Sequence, residues 1–126
     1  MLDFLIAAAL QAAPMVRPAV EIGPAPGSRL IACPAWITTR LQSPAPPTCM
    51  SGTMRRSQEQ QNAYQASLIA QGWLFKDGAA NAMTYERACE TLTFAGFPLE
   101  EPKSSKDFAT AKDMVFIFSM EPKRNC

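Results

Sequence analysis

Eight of the eleven prolines fall between Pro14 and Pro47. A proline gives up a backbone donor and clashes with the turn before it, so the first third of the chain is barred from long helix. Residues 14–28 read instead as a proline-rich, semi-rigid tether. Residues 29–41 then offer a strand pair or one bent strand: Leu30-Ile31-Ala32-Cys33, a break at Pro34, and Trp36-Ile37-Thr38-Thr39-Arg40-Leu41. Their β-branched and aromatic content favours strand. Residues 43–47 are a loop.

After the proline-rich third, the apolar spacing becomes helical. Ser57-Gln58-Glu59-Gln60 has the capping-box form, in which Ser57 and Gln60 each satisfy an orphan backbone donor. Tyr64 and Leu68, with Ala63, Ala66 and Ile69 beside them, supply an apolar face, and Gly72 is the stop. Trp73-Leu74-Phe75 is a short apolar run ended by a turn at Asp77-Gly78. A second helix is expected from Asn81 or Thr84, because Tyr85, Ala88, Cys89 and Leu92 recur at i, i+3, i+4 and i+7. Gly96 and Pro98 end it. Ser104 or Ser105 caps a short third helix through Phe108 and Ala111. Met114-Val115-Phe116-Ile117-Phe118-Ser119-Met120 is largely apolar on both faces, which makes it a central strand covered from both sides.

Strands and helices segregate along the chain, so the fold class is α+β. The expected architecture is a short antiparallel-type sheet, with strands near 29–41 and 114–120, packed against two or three helices. The 126 residues support a single domain, residues 29–126, with a core of its own.

Leu2 to Ala13 is apolar apart from Asp3 and Gln11, and Pro14 follows it. That is too short to cross ~30 Å of hydrocarbon, which takes about twenty residues. It suits the apolar region of a secretory signal, with Ala12 and Ala13 at the cleavage position, so residues 1–13 read as a signal peptide. The basic residue expected at the front of such a signal is replaced by Asp3. Leu30-Ile31-Ala32-Cys33 is not a lipoprotein site, since the segment before it is charged and rich in Pro and Gly.

The four cysteines, Cys33, Cys49, Cys89 and Cys126, include no C-x-x-C pair, and an even count behind an export signal reads as two disulfides. Three pairings are open. Cys33 with Cys49 would close the proline-rich loop and Cys89 with Cys126 would hold an end against fraying, and these are preferred.

With no histidine, the chain cannot build a Ser-His-Asp or Cys-His unit, an HExxH zinc site or an imidazole pH switch. It contains no nucleophile-elbow, phosphate-loop or dinucleotide motif, and its aspartates are too scattered for a calcium loop. No cofactor and no metal are expected. Met50, Met54 and Cys49 are soft donors of the kind that hold Cu(I), but methionine commonly fills cores and Cys49 is wanted for a bridge.

One catalytic arrangement remains. Glu86 and Glu90 stand at i, i+4 on the expected second helix, with Tyr85 beside them. In a cleft, mutual repulsion would raise one carboxyl pKa and make an acid/base pair; on a solvated face the same spacing is routine. The net charge of +1 is no basis for a polybasic nucleic-acid binder, and Arg55-Arg56 has no nearby aromatic on which a base could stack. Trp36, Arg55 and Arg56 are the candidate partner contacts, while Trp73 is assigned to the core.

These readings converge on a small exported domain, periplasmic or secreted, stabilised by two disulfides. Its expected role is non-catalytic binding of a protein or small molecule, without nucleic acid and without a transmembrane span. The alternative is a small exported hydrolase using Glu86 and Glu90.

Overall fold

The computed structural model describes residues 22–40, 46–79, 82–123 and 126. The expected signal peptide and residues 14–21 of the tether lie outside the described residues. Strands β1 (Leu30–Ile31), β2 (Thr48–Thr53), β3 (Leu74–Ala79), β4 (Ala82–Arg87), β5 (Glu90–Pro98) and β6 (Asp113–Pro122) form one antiparallel sheet. Their order across it is β1-β2-β6-β5-β4-β3. The helices are α1 (Ala35–Thr38), α2 (Ser57–Ala70) and α3 (Ser105–Thr110). The α+β class therefore holds in outline, with the sheet much larger than expected.

Strand β6 organises the core. Met114 to Phe118 are buried without a break, as expected for a strand covered on both faces. Alternation sends Phe116 and Phe118 to one face, where they join Met50, Phe94, Leu92 and Tyr85 beneath Tyr64 and Leu68 of α2. Val115 and Ile117 point the other way, into a second cluster with Cys49 and with Ile37 of α1. Phe94 and Phe118 stack with centroids 4.8 Å apart, and Tyr64 meets Phe118 edge-on at 5.1 Å. Burying each such ring contributes roughly 1.5–3 kcal/mol.

Helix α2 ends as its sequence implies. Gly72 adopts φ +91°, Trp73 N donates to Leu68 O at 3.0 Å and Gly72 N to Ile69 O at 3.0 Å. That is a Schellman ending, with Trp73 and Leu68 both in the core cluster. The start differs from expectation. Ser57 lies within the helix and its hydroxyl donates to Met54 O, while Arg56 is the cap residue. Gln60 does not close a capping box, because its carboxamide is used elsewhere: Oε1 accepts from Thr53 N at 3.1 Å and Nε2 donates to Pro26 O at 3.0 Å. The fully buried Gln60 thus ties α2 to β2 and to the N-terminal segment. Helix α3 does keep its expected cap, with Ser104 Oγ accepting from Asp107 N at 3.3 Å.

Three further expectations are corrected. The second helix does not form; residues 82–98 make the β4–β5 hairpin around Ala88 and Cys89. Tyr85 and Leu92 are both buried, but as cross-strand partners. Their separation of seven fits either structure, whereas the alternation in Thr91-Leu92-Thr93-Phe94 fits only a strand.

The β-branched stretch after Pro34 is also not strand. Residues 35–38 form the single turn α1, in which the Thr38 and Thr39 hydroxyls donate to Ala35 O and Trp36 O. Pairing has already ended at Ile31, Pro34 stands at the start of α1, and the turn seats Ile37 on β6, so packing overrides propensity.

Finally, Asp77-Gly78 continues β3 past an irregularity at Lys76 instead of turning the chain. The described part of the tether, residues 22–28, is docked on the domain: Ala25 is buried, and Ser28 Oγ lies 2.6 Å from Tyr64 Oη.

Two disulfides, Cys33–Cys49 and Cys89–Cys126, match the preferred pairing. The first fastens α1 and its approach to β2; the second fastens the β4–β5 turn to the chain beyond β6. Among the described residues no helix is long and apolar enough to cross a membrane.

Candidate functional site

Adjacent strand residues point to opposite faces, and this separates the expected acid/base pair. Glu86 lies opposite Leu74 on β3 and Thr91 on β5, whereas Glu90 lies opposite Arg87 and shares the face of Tyr85. Glu86 is held by Lys76 Nζ at 2.8 Å and Lys123 Nζ at 3.1 Å. Those hydrogen bonds, the one from Lys76 first, keep its carboxyl below the ordinary carboxylate range. A carboxylate held ionised in this way is poorly placed to donate a proton. Glu90 pairs with Arg87 at 3.7 Å, and the Arg87 guanidinium covers the Trp73 ring at 4.4 Å. Tyr85 is buried against Phe75, and that burial raises its phenol pKa.

The partner-contact candidates are likewise dispersed. Trp36 is half-buried in the α1 cluster, its indole donating to Leu99 O at 3.0 Å and its ring meeting Phe97 edge-on. The Arg40 guanidinium lies over that ring, 5.4 Å from its centroid. Arg56 stands at the start of α2, which packs on the opposite face of the sheet, and is paired with Glu59 at 3.1 Å. Arg55 is exposed. The soft-donor cluster does not form either: Cys49 is spent in a disulfide and Met50 belongs to the opposite core cluster. Among the described residues no group of three or more potential cysteine or carboxylate ligands gathers.

What the fold does assemble is a cleft beside the first turns of α2. The helix covers the aromatic centre of the sheet but leaves space of about 320 Å³ bounded by Ser57 and Gln61 on α2 and by Met83, Phe94, Met114 and Phe116 on the sheet. Two strand glycines lie in its wall, Gly78 and Gly96. Gly96 is opposite Phe116 and Gly78 opposite Met83, so both withhold a side chain from the helix-side face. A β-carbon on Gly96 would sit 3.3 Å from Met114 Cε and 3.4 Å from Phe116 Cε1. Met83 is anchored from behind, its sulfur accepting from Gln65 Nε2 at 2.7 Å. The lining side chains on the sheet are thus mainly apolar, soft and aromatic, with Gln61 and Ser57 as the polar side chains, and the exposed lining as a whole is about as polar as it is apolar.

A second concavity, about 550 Å³, lies between the β5–α3 loop and the approach to β6. Its lining is mainly charged or exposed, from Glu100 to Lys112. Glu101 there is engaged by Arg40 and Asp107 by the Lys103 amide.

None of the helix-side cleft residues reads as a binding residue in the sequence. The available signal was glycine inside two strands, which often marks a bulge or a place where another group comes close. By local sequence Gly96 reads instead as a helix stop. Comparison with protein-family models, curated proteins and solved structures finds no match.

Proposed function

We propose that this chain is a disulfide-stabilised binding domain of an oxidising compartment, periplasmic or extracellular. Its site is the cleft between α2 and the sheet, and its ligand is a small amphipathic molecule, an apolar body carrying hydrogen-bonding groups. The observation that carries this reading is the pair of strand glycines in a sheet wall whose large side chains are Met83, Phe94, Met114 and Phe116. Ligand sites are typically concave spaces of roughly 300–1,000 Å³ with apolar linings and a few polar groups that orient the ligand. The Gln61 carboxamide, which makes no hydrogen bond among the described residues, supplies such a group at the rim. Cysteine usage supports the compartment, because paired disulfides persist where thiols are not kept reduced.

The test is a nuclear magnetic resonance titration of the folded chain with indole, 1-naphthol and octanamide. Shifts should centre on the amides of Gly78, Met83, Gly96 and Gln61. Gly96→Leu, which fills the cleft, should abolish them while leaving the remaining amide spectrum in place, and Gln61→Ala should weaken them. Probes that leave these amides unmoved, or that bind Gly96→Leu equally well, would defeat the proposal.

A further inference from the structure

The two disulfides stand in opposite surroundings. Cys49 is 1% exposed and sits in the core cluster with Val115, Ile117 and Ile37, and Cys33 packs against that cluster. Cys89 and Cys126 are both exposed and belong to neither core cluster. Thiol–disulfide exchange needs a thiolate to reach a sulfur atom along the line of the bond. A sulfur inside a core becomes reachable only when that region opens, whereas one on the surface is open to attack in the native state.

The region around Cys89 is also built to survive loss of its bridge. Arg87 and Glu90 close the hairpin, Glu90 and Thr91 pair with Pro122 and Glu121, and Lys123 N donates to Cys89 O at 2.7 Å. None of these contacts uses the sulfur atoms. The residue before Cys89 is Ala88, held at φ +50°, a conformation L side chains resist. Breaking the Cys33–Cys49 bridge instead disturbs packing between α1, β2 and β6.

We propose that Cys89–Cys126 is an exchangeable disulfide, a site of reversible mixed-disulfide formation with low-molecular-weight monothiols, while Cys33–Cys49 is a permanent staple. A monothiol first loses its proton. Its thiolate attacks the sulfur of Cys126 or Cys89, a new sulfur–sulfur bond forms, and the old bond breaks with its electron pair leaving on the other cysteine. That cysteine takes up a proton. The reverse step expels the monothiol and restores the bridge, and a second monothiol can instead release a small-molecule disulfide and leave both cysteines reduced. The monothiol is the only co-reactant.

The experiment uses the folded full chain and reduced glutathione, with samples quenched over time by acid and N-ethylmaleimide and mapped by peptide mass spectrometry. Glutathionyl or maleimide adducts should appear on Cys89 and Cys126 at least about tenfold faster than on Cys33 and Cys49. Near-ultraviolet circular dichroism should remain native as they form. Equal rates at the two bridges, earlier reaction of Cys33–Cys49, or adducts only once the native spectrum is lost would overturn the assignment. A Cys89→Ser/Cys126→Ser double variant provides a second arm. It should keep a cooperative unfolding transition and take up no adduct over the same interval, and uptake at Cys33 or Cys49 would count against the proposal.

Discussion

Gly52 yields its side-chain space to Gln60: a β-carbon built on Gly52 would stand 2.8 Å from Gln60 Oε1 and 2.5 Å from Phe116 Cε2. The glycine lets the only polar side chain in the described core reach the Thr53 amide. Gly52→Ala should therefore cost about 1–3 kcal/mol through overpacking. Gln60→Leu should cost a similar ~1–3 kcal/mol, because it strips Thr53 N and Pro26 O of their partner. Urea unfolding checks both, with a lowered midpoint at unchanged slope as the expected result. A neutral Gly52→Ala would show that Phe116 and Gln60 have room to move.

The aromatic centre and the sheet edge should respond very differently to truncation. Phe118 is buried between Phe94 and Tyr64, so Phe118→Ala should cost roughly 3–5 kcal/mol. Phe75 on edge strand β3 is 57% exposed, and Phe75→Ala should lower stability by much less. Comparable losses in thermal or chemical unfolding would mean that the edge contributes more to the core than its exposure indicates.

Ala88 offers a stabilising substitution. At φ +50° an alanine is disfavoured by about 1 kcal/mol, a penalty glycine does not carry. Ala88→Gly should recover part of it and raise the midpoint of unfolding, while Ala88→Val should lower it further than any surface substitution nearby. Unchanged stability in both variants would remove the strain from this account of the turn.

Glu86 sets a pH dependence of known sign. Lys76, and then Lys123, hold its folded-state carboxyl below the unfolded value. The stability it contributes is present in full above the unfolded carboxylate pKa and is lost as pH falls through the lowered folded one. Glu86→Gln should therefore melt slightly below the wild type at neutral pH, with the gap closing in strong acid. The effect is small because the pair is partly solvated. Thermal midpoints across an acid-to-neutral series test this, and a gap independent of pH would contradict it.

Local chemistry was legible wherever one short segment decides the outcome. Gly72 stops α2 because only nearby residues set that ending, and Ser104 caps α3 for the same reason. The unbroken apolar run of β6 announced a strand covered on both sides. The failures share one cause. Tyr85 and Leu92 are seven residues apart, which puts them on one helix face or opposite each other across a two-residue turn. That spacing alone does not distinguish them; the alternation of Thr91-Leu92-Thr93-Phe94 does, and the pairing of β5 with β6 fixes the strand. At Trp36 to Thr39, strand propensity lost to the chance of seating Ile37 on Val115 and Ile117, nearly eighty residues away.

The chain's covalent and local features follow from residue identity alone: a proline-rich first third, an even set of cysteines, and no histidine chemistry. Those depend on composition and on neighbours along the chain. The cleft, the separation of Glu86 from Glu90 and the contrast between two disulfides belong to the tertiary structure. Each depends on strand register, which sets Gly96 against Phe116 and Met83 against Phe94. Register is decided by how whole faces bury together, and a shift of one residue would send every one of these side chains to the other side.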